Sequence, residues 1–157
     1  MKKWFFALGV FGLATTLAAG GWSTARAQES PGPTPPTTLY LQLGGYDALA
    51  AVTDDLIGRL VADPKLAKFF VGLNDEHKAL LRQRFVEFLC AKSGGPCVYM
   101  GRDMKTAHAG LNITEDQWNA AIADFAQTED KFQIPQPLRD QIGQLFAQIK
   151  PDIVTAP

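Results

Sequence analysis

Between two strongly helical stretches of this chain lie about 17 residues, Cys97 to Ile113, with no sustained apolar period. An irregular segment of that length is uncommon inside a compact domain unless it is functional or is held by something else. Any fold for this chain must therefore account for what stabilises it. On either side the pattern is helical. Leu49, Val52, Leu56 and Leu60 recur at three- and four-residue steps, with Asp54, Asp55 and Arg59 on the other side. Gly44-Gly45 gives a permissive break before this helix, and Asp63-Pro64 ends it, because the residue before proline avoids helical angles. A short turn carries Pro64 to Phe70 and closes at Gly72.

A second long helix is predicted from Asp75 to Lys92, with Leu80, Leu81, Phe85, Phe88 and Leu89 along one broad stripe. Ser93-Gly94-Gly95-Pro96 stops it. Thr114-Glu115-Asp116-Gln117 matches a capping box and opens a helix carrying Trp118, Ile122 and Phe125. Pro137 suits the first turn of a last helix holding Leu138, Ile142, Leu145, Phe146 and Ile149, expected to stop before Pro151. No alternating strand pattern stands out. The chain is read as all-α, with four substantial helices and a long loop that holds at most one or two helical turns around Met104 to His108.

The first 27 residues are of another kind. Lys2 and Lys3 precede an apolar run from Trp4 to Ala19, and Ala25-Arg26-Ala27 follows. That is the order of a secretory signal peptide, and residues 1–27 are read as one. A retained anchor is the other reading, since the run is almost long enough to span a bilayer. Gln28 to Thr38 holds four prolines and several threonines, which makes residues 28–38 a solvated spacer before a domain at 39–154. The expectation is an exported, periplasmic protein that is free of the membrane after cleavage. Without Lys2, Lys3 and Arg26 the 15 basic side chains become 12 against 16 acidic ones, a net charge of -4. Nucleic acid is a poor partner for such a chain, because little positive charge is available to neutralise phosphates.

There are only two histidines. His108 has no histidine or cysteine companion at metal-ligand spacing, so a tetrahedral zinc site is poorly supported. No serine or cysteine stands in a strained glycine elbow, and a nucleophilic triad is weaker still. A lone histidine is by default structural. One chemistry needs only a single imidazole and an apolar cavity, namely haem iron. Ten phenylalanines, with Phe69-Phe70 adjacent, could line such a cavity or simply fill the core.

Two strings carry a family resemblance. One is Gly44-Gly45 followed by Ala62-Asp63-Pro64-Lys65-Leu66-Ala67-Lys68-Phe69-Phe70. The more specific runs from Gly94-Gly95-Pro96 through Tyr99-Met100-Gly101-Arg102-Asp103-Met104 to Ala107-His108-Ala109-Gly110-Leu111. Together they resemble group I of the truncated haemoglobins over roughly Leu39 to Val154. The resemblance implies a two-over-two helical sandwich around haem b, with a long proximal loop and His108 as the proximal iron ligand. It places Phe70 on the porphyrin near the distal side, and Met104 and Trp118 in the proximal wall. Arg84 falls where a basic residue meets a propionate. Tyr99 and Arg102 are further propionate candidates, or else ordinary solvated side chains.

The departures from that family pattern bear on mechanism. Where many members carry a tyrosine that donates to the bound ligand, this chain has Ile57, preceded by Leu56. Where a glutamine often assists, it has Phe85, with Leu81, Phe88 and Leu89 around it. In this register the distal pocket is apolar and lacks a donor, unless Gln83 swings in. A positioned donor typically stabilises oxygen by roughly one or more kcal/mol. The pocket is therefore expected to discriminate against oxygen relative to NO and CO. His77 could reach the iron as a sixth ligand, or be an exposed residue on a charged turn.

Cys90 and Cys97 flank the Gly94-Gly95-Pro96 turn. Export favours a disulfide between them, and two free thiols are the alternative. No Cys-x-x-Cys-His motif occurs, so c-type haem attachment is not expected. Three functions follow for comparison: gas binding at haem, with a diatomic ligand as partner; an enzyme of NO detoxification or peroxide chemistry, supplied by an unidentified reductant; and a helical interaction module in which His108 is incidental.

Overall fold

The computed structural model describes residues 37–156; residues 1–27, expected to be a signal peptide, and all but the last two residues of the expected spacer lie outside them. Thr38, the spacer's final residue, is already part of the fold. Its hydroxyl accepts from the Leu41 amide and caps a short helix, α1 (Leu39–Gln42). Gly44 and Gly45 follow at φ values of 94° and 78°, the left-handed region where a side chain is strained, and α2 (Gly45–Ala62) begins there. A 3-10 turn (Ala67–Phe70) leads to α3 (Asp75–Lys92), which Asn74 caps by accepting from the His77 amide.

The irregular segment contains one short helix, α4 (Met104–His108). Then come β1 (Ile113–Thr114), α5 (Glu115–Lys131), α6 (Gln136–Ile153) and β2 (Val154–Ala156). The four substantial helices of the sequence reading are α2, α3, α5 and α6. The capping box at α5 forms as expected. Thr114 Oγ1 accepts from the Gln117 amide at 3.3 Å, and Gln117 Oε1 accepts from the Thr114 amide at 3.1 Å. These two bonds satisfy donors that a helix start otherwise leaves free.

Several expectations are corrected. α6 does not stop before Pro151 but runs through it to Ile153. Proline removes one backbone bond and crowds the preceding turn. Here only two helical residues follow it, and burial of Ile153 together with the β1–β2 pairing holds the segment. The second correction is that pairing itself, a parallel contact of Ile113 with Val154 and of Thr114 with Ala156. It is too short to leave an alternating pattern.

The core has two linked clusters. Val52 and Leu56 of α2 meet Phe125 of α5, Ile134, and Leu138 and Ile142 of α6. Leu49 meets Leu89 and Cys90 of α3. Leu43, Phe85 and Phe146 pack against both. The Phe125 and Phe146 rings meet edge to face at 4.9 Å, a favoured aromatic arrangement. Ile122, assigned to the apolar stripe of α5, is instead exposed; the buried residues of α5 are Asp124, Phe125, Thr128 and Glu129.

Asp55 also departs from the expected solvated face. It accepts from Lys131, from Arg59 at 2.7 Å and from the Thr128 hydroxyl at 2.9 Å. Arg59 reaches Gln127 at 2.8 Å and Lys65 reaches Asp116 at 2.8 Å. Rising numbers on α2 and just beyond it thus meet falling numbers on α5, so the two helices run antiparallel along a polar seam. The Lys131 and Arg59 bonds hold the Asp55 carboxyl down at about 2. Nearby Asp124 is buried with one carboxylate oxygen unpartnered, and burial raises its pKa.

Candidate functional site

His108 is the last residue of α4, half-buried, with Nδ1 2.8 Å from the Met104 carbonyl. A carbonyl can only accept, so Nδ1 carries the proton and the lone pair of Nε2 is left free for a ligand. The helix that presents it is built locally. Asp103 accepts from the Thr106 amide at 2.9 Å and from the Thr106 hydroxyl at 2.8 Å, which caps α4 and holds the Asp103 carboxyl below its usual range. Met104 and His108 are four residues apart, on one face of this single turn. Among the described residues no group of three or more histidine, cysteine or acidic side chains could hold a metal ion. With Nδ1 bonded to the Met104 carbonyl, His108 offers one imidazole nitrogen to a ligand.

The apolar candidates are spread over four helices and the 3-10 turn. α4 packs mainly on α6, and α3 mainly on α2. Leu81, Phe85 and Phe88 on α3 and Met104 on α4 are left half-buried, although apolar side chains of this size are usually buried outright. Phe70 closes the 3-10 turn, half-buried, and Trp118 is half-buried in the first part of α5. Ile57 is half-buried on α2, one position after the buried Leu56. Apart from the Trp118 indole N–H, these side chains are apolar, as contact with a porphyrin face requires.

The five distal candidates divide. Phe88 and Leu89 border an apolar cavity of about 160 Å³ with Leu49, Val52, Phe125 and Phe146, whereas Ile57, Leu81 and Phe85 do not. Gln83 is engaged elsewhere. Its amide donates to Glu87 Oε1 at 3.1 Å, and it also lies 3.5 Å from the Tyr46 hydroxyl. His77 is exposed in the first turn of α3.

Of the propionate candidates, Arg84 is half-buried and paired with Glu87 at 2.7 Å. Arg102 is exposed. Tyr99 is turned inward. Its hydroxyl donates to the Arg102 carbonyl at 2.7 Å, its ring meets Phe88 edge to face at 5.4 Å, and burial raises its pKa. A side chain at Gly101 would stand 2.3 Å from the Tyr99 ring, which explains glycine in the Tyr-x-Gly string. Cys90 and Cys97 form a disulfide.

Two contributors escaped the sequence reading. Asp103 caps the helix that carries His108, and Asp103-x-x-Thr106 was its available signal. Glu87 gathers donors from Gln83, Arg84 and the Met100 amide. Its place three residues after Arg84 was visible, but the loop amide was not.

The family model described as bacterial-like globin matches residues 38–155. A group 1 truncated haemoglobin of Mycolicibacterium paratuberculosis is 32% identical over 120 residues, covering 76% of this chain and 86% of the relative. The chain is a group 1 truncated globin. Another group 1 relative, from a Nostoc species, is 38% identical over 84 residues, covering 54% of this globin and 69% of its own length. Among solved structures, the Fe(III) form of the truncated haemoglobin from Tetrahymena pyriformis superposes with a TM-score of 0.68 at 25% identity, covering 74% of this globin and 97% of that chain. The helices described above are therefore the two-over-two globin fold, as the sequence strings implied.

Proposed function

We propose that this globin binds haem b through Nε2 of His108 and takes up diatomic gases in an apolar distal pocket. The observation that carries this reading is the single imidazole of α4, its Nδ1 committed to the Met104 carbonyl and its Nε2 free. Relatives named as haemoglobins, one of them solved in an Fe(III) form, support the cofactor. Bound haem would supply four equatorial nitrogens and an iron with one position open to a gas.

The chain's own residues then set the behaviour. The Nδ1–H donated to the Met104 carbonyl fixes the tautomer and the orientation of the His108 ring, so that Nε2 faces a ligand. Met104 packs on the proximal side beside it. On the other side Ile57, Leu81 and Phe85 exclude water and offer no proton. Gln83, the near amide, is occupied by Glu87 and Tyr46. Oxygen, which gains most from a donor, is held less well than NO or CO. Peroxide cleavage gains from a distal acid–base group, and these side chains provide none, so reversible binding is the favoured function over peroxide chemistry.

Arg84, with Arg102 as a second candidate, would meet the propionates. Residues 1–27 would export the protein to the periplasm, and the Cys90–Cys97 bond suits such an oxidising compartment. The test is the optical spectrum of ferric and ferrous protein, alone and with oxygen, CO and NO, in wild type and His108→Ala. A Soret band that survives unchanged in the variant would assign the iron to another residue. A colourless wild type with hemin supplied would end the haem reading.

A further inference from the structure

The segment from Cys97 to Met100 does not simply hang between α3 and α4. Three contacts fasten it to the end of α3, and they run in antiparallel order. Cys97 is bonded to Cys90, Tyr99 stacks its edge on Phe88, and the Met100 amide donates to Glu87 at 3.4 Å. The chain is covalent at the first of these and aromatic at the second. At the third, nearest to α4, it depends on one carboxylate.

That carboxylate is unusual in its surroundings. The Glu87 side chain is only 14% exposed, and three donors converge on it. Gln83 and Arg84 come from the preceding turn of α3, at 3.1 Å and 2.7 Å, and the third donor is the loop amide. A charge-assisted hub of this kind is stronger than the same contacts between neutral groups. It also sits on the single helix that carries both Arg84 and the apolar residues Leu81 and Phe85. A shift of the loop relative to Glu87 would move Asp103, the cap of α4, and with it His108. Arg84 is held by the same oxygen that receives the Met100 amide, so the propionate candidate and the loop before α4 share one anchor.

We propose that Glu87 is a positioning residue for the iron-binding histidine. Its carboxylate sets the spacing between α3 and the loop that delivers His108, and it aims Arg84 at the rim of the slot. This inference rests on the haem reading above but does not follow from it, since Glu87 is not among the residues which that reading places against the haem.

The experiment compares the haem-loaded wild type with Glu87→Gln and Glu87→Ala, the disulfide left intact. Three quantities are measured: hemin transfer to apomyoglobin, the iron–histidine stretching band of the ferrous form by resonance Raman, and deuterium exchange at the Met100 amide. Glu87→Ala should release hemin at least tenfold faster, shift or broaden the iron–histidine band, and raise Met100 exchange. Glu87→Gln keeps an acceptor for the Met100 amide and should retain the band while releasing hemin a few-fold faster, because Arg84 has lost its ion pair. If both variants only lower the unfolding temperature, with hemin release and the Raman band unchanged, the residue is merely structural and the proposal is overturned. A wild type that binds no hemin would sink the haem reading itself. Indifferent variants of a coloured wild type sink only the role of Glu87.

Discussion

Replacing Asp55 with asparagine isolates the polar seam between α2 and α5. The carboxyl titrates at about 2 instead of 3.8, drawn down first by Lys131 and then by Arg59, against an opposing cost of burial. At roughly 1.36 kcal/mol per pKa unit, that shift sets a ceiling of about 2.4 kcal/mol on what the ionised group adds to stability at neutral pH. The Lys131 side chain is 57% exposed. Solvent screening of such a partner reduces the expectation to about 1–1.5 kcal/mol. Because the folded pKa is depressed, the contribution is complete above the unfolded value near 4 and disappears as the pH falls through about 2, with about half remaining near pH 3. Urea unfolding followed by far-ultraviolet circular dichroism, on haem-loaded wild type and Asp55→Asn at a series of pH values, reads this directly. Acid effects on the haem site are common to both proteins and cancel in the difference. A gap between the two that stays the same from pH 7 to pH 3 would refute the linkage. So would a gap below about 0.3 kcal/mol at pH 7, no more than a weak exposed ion pair contributes.

Ile57→Tyr should place a donor in the distal pocket and slow oxygen dissociation by about tenfold, equivalent to about 1.4 kcal/mol; stopped-flow mixing measures it, and CO release should change far less. Gly95→Ala would put a Cβ 2.6 Å from the Tyr40 ring and 2.7 Å from the Cys90 sulfur. Overpacking of that kind costs about 1–3 kcal/mol and should lower the thermal midpoint. Gly143→Ala on α6, where a Cβ meets nothing within 4 Å, is the matched control and should not lower it. Thr114→Ala removes the α5 cap and should cost about 1 kcal/mol in chemical denaturation, with no change in the Soret band.

Much of the fold was legible because its signals are local. Thr114 and Gln117 lie three residues apart and need nothing else to declare a helix start. Leu49, Val52 and Leu56 mark the buried side of α2 by period alone. The short helix at Met104–His108 could be anticipated because little else could order an aperiodic stretch. Asp55 was misplaced for the opposite reason. On its own helix it stands beside Asp54, which is exposed, and only α5, more than seventy residues later, supplies Lys131 and Thr128. Ile122 failed in the same way, since helical spacing shows that a residue shares a face but not which face is covered. Pro151 was read by its local rule, and tertiary burial of Ile153 overrode it. Within the candidate site, His108 is marked by its isolation and by the strings around it. The use of Glu87 depends on a loop amide 13 residues away, for which no residue type leaves a trace.

The two-residue contact of β1 with β2 makes Val154–Ala156 a neighbour of the segment that follows the proposed iron ligand. Val154 and Ala156 lie alongside Ile113 and Thr114, only a few residues beyond His108. Anything appended after Ala156, such as a purification handle or a fused reporter, would pull on that seam and disturb the colour of the protein before it disturbed its helices. Handles of that sort belong in the spacer, after residue 27 and ahead of Thr37.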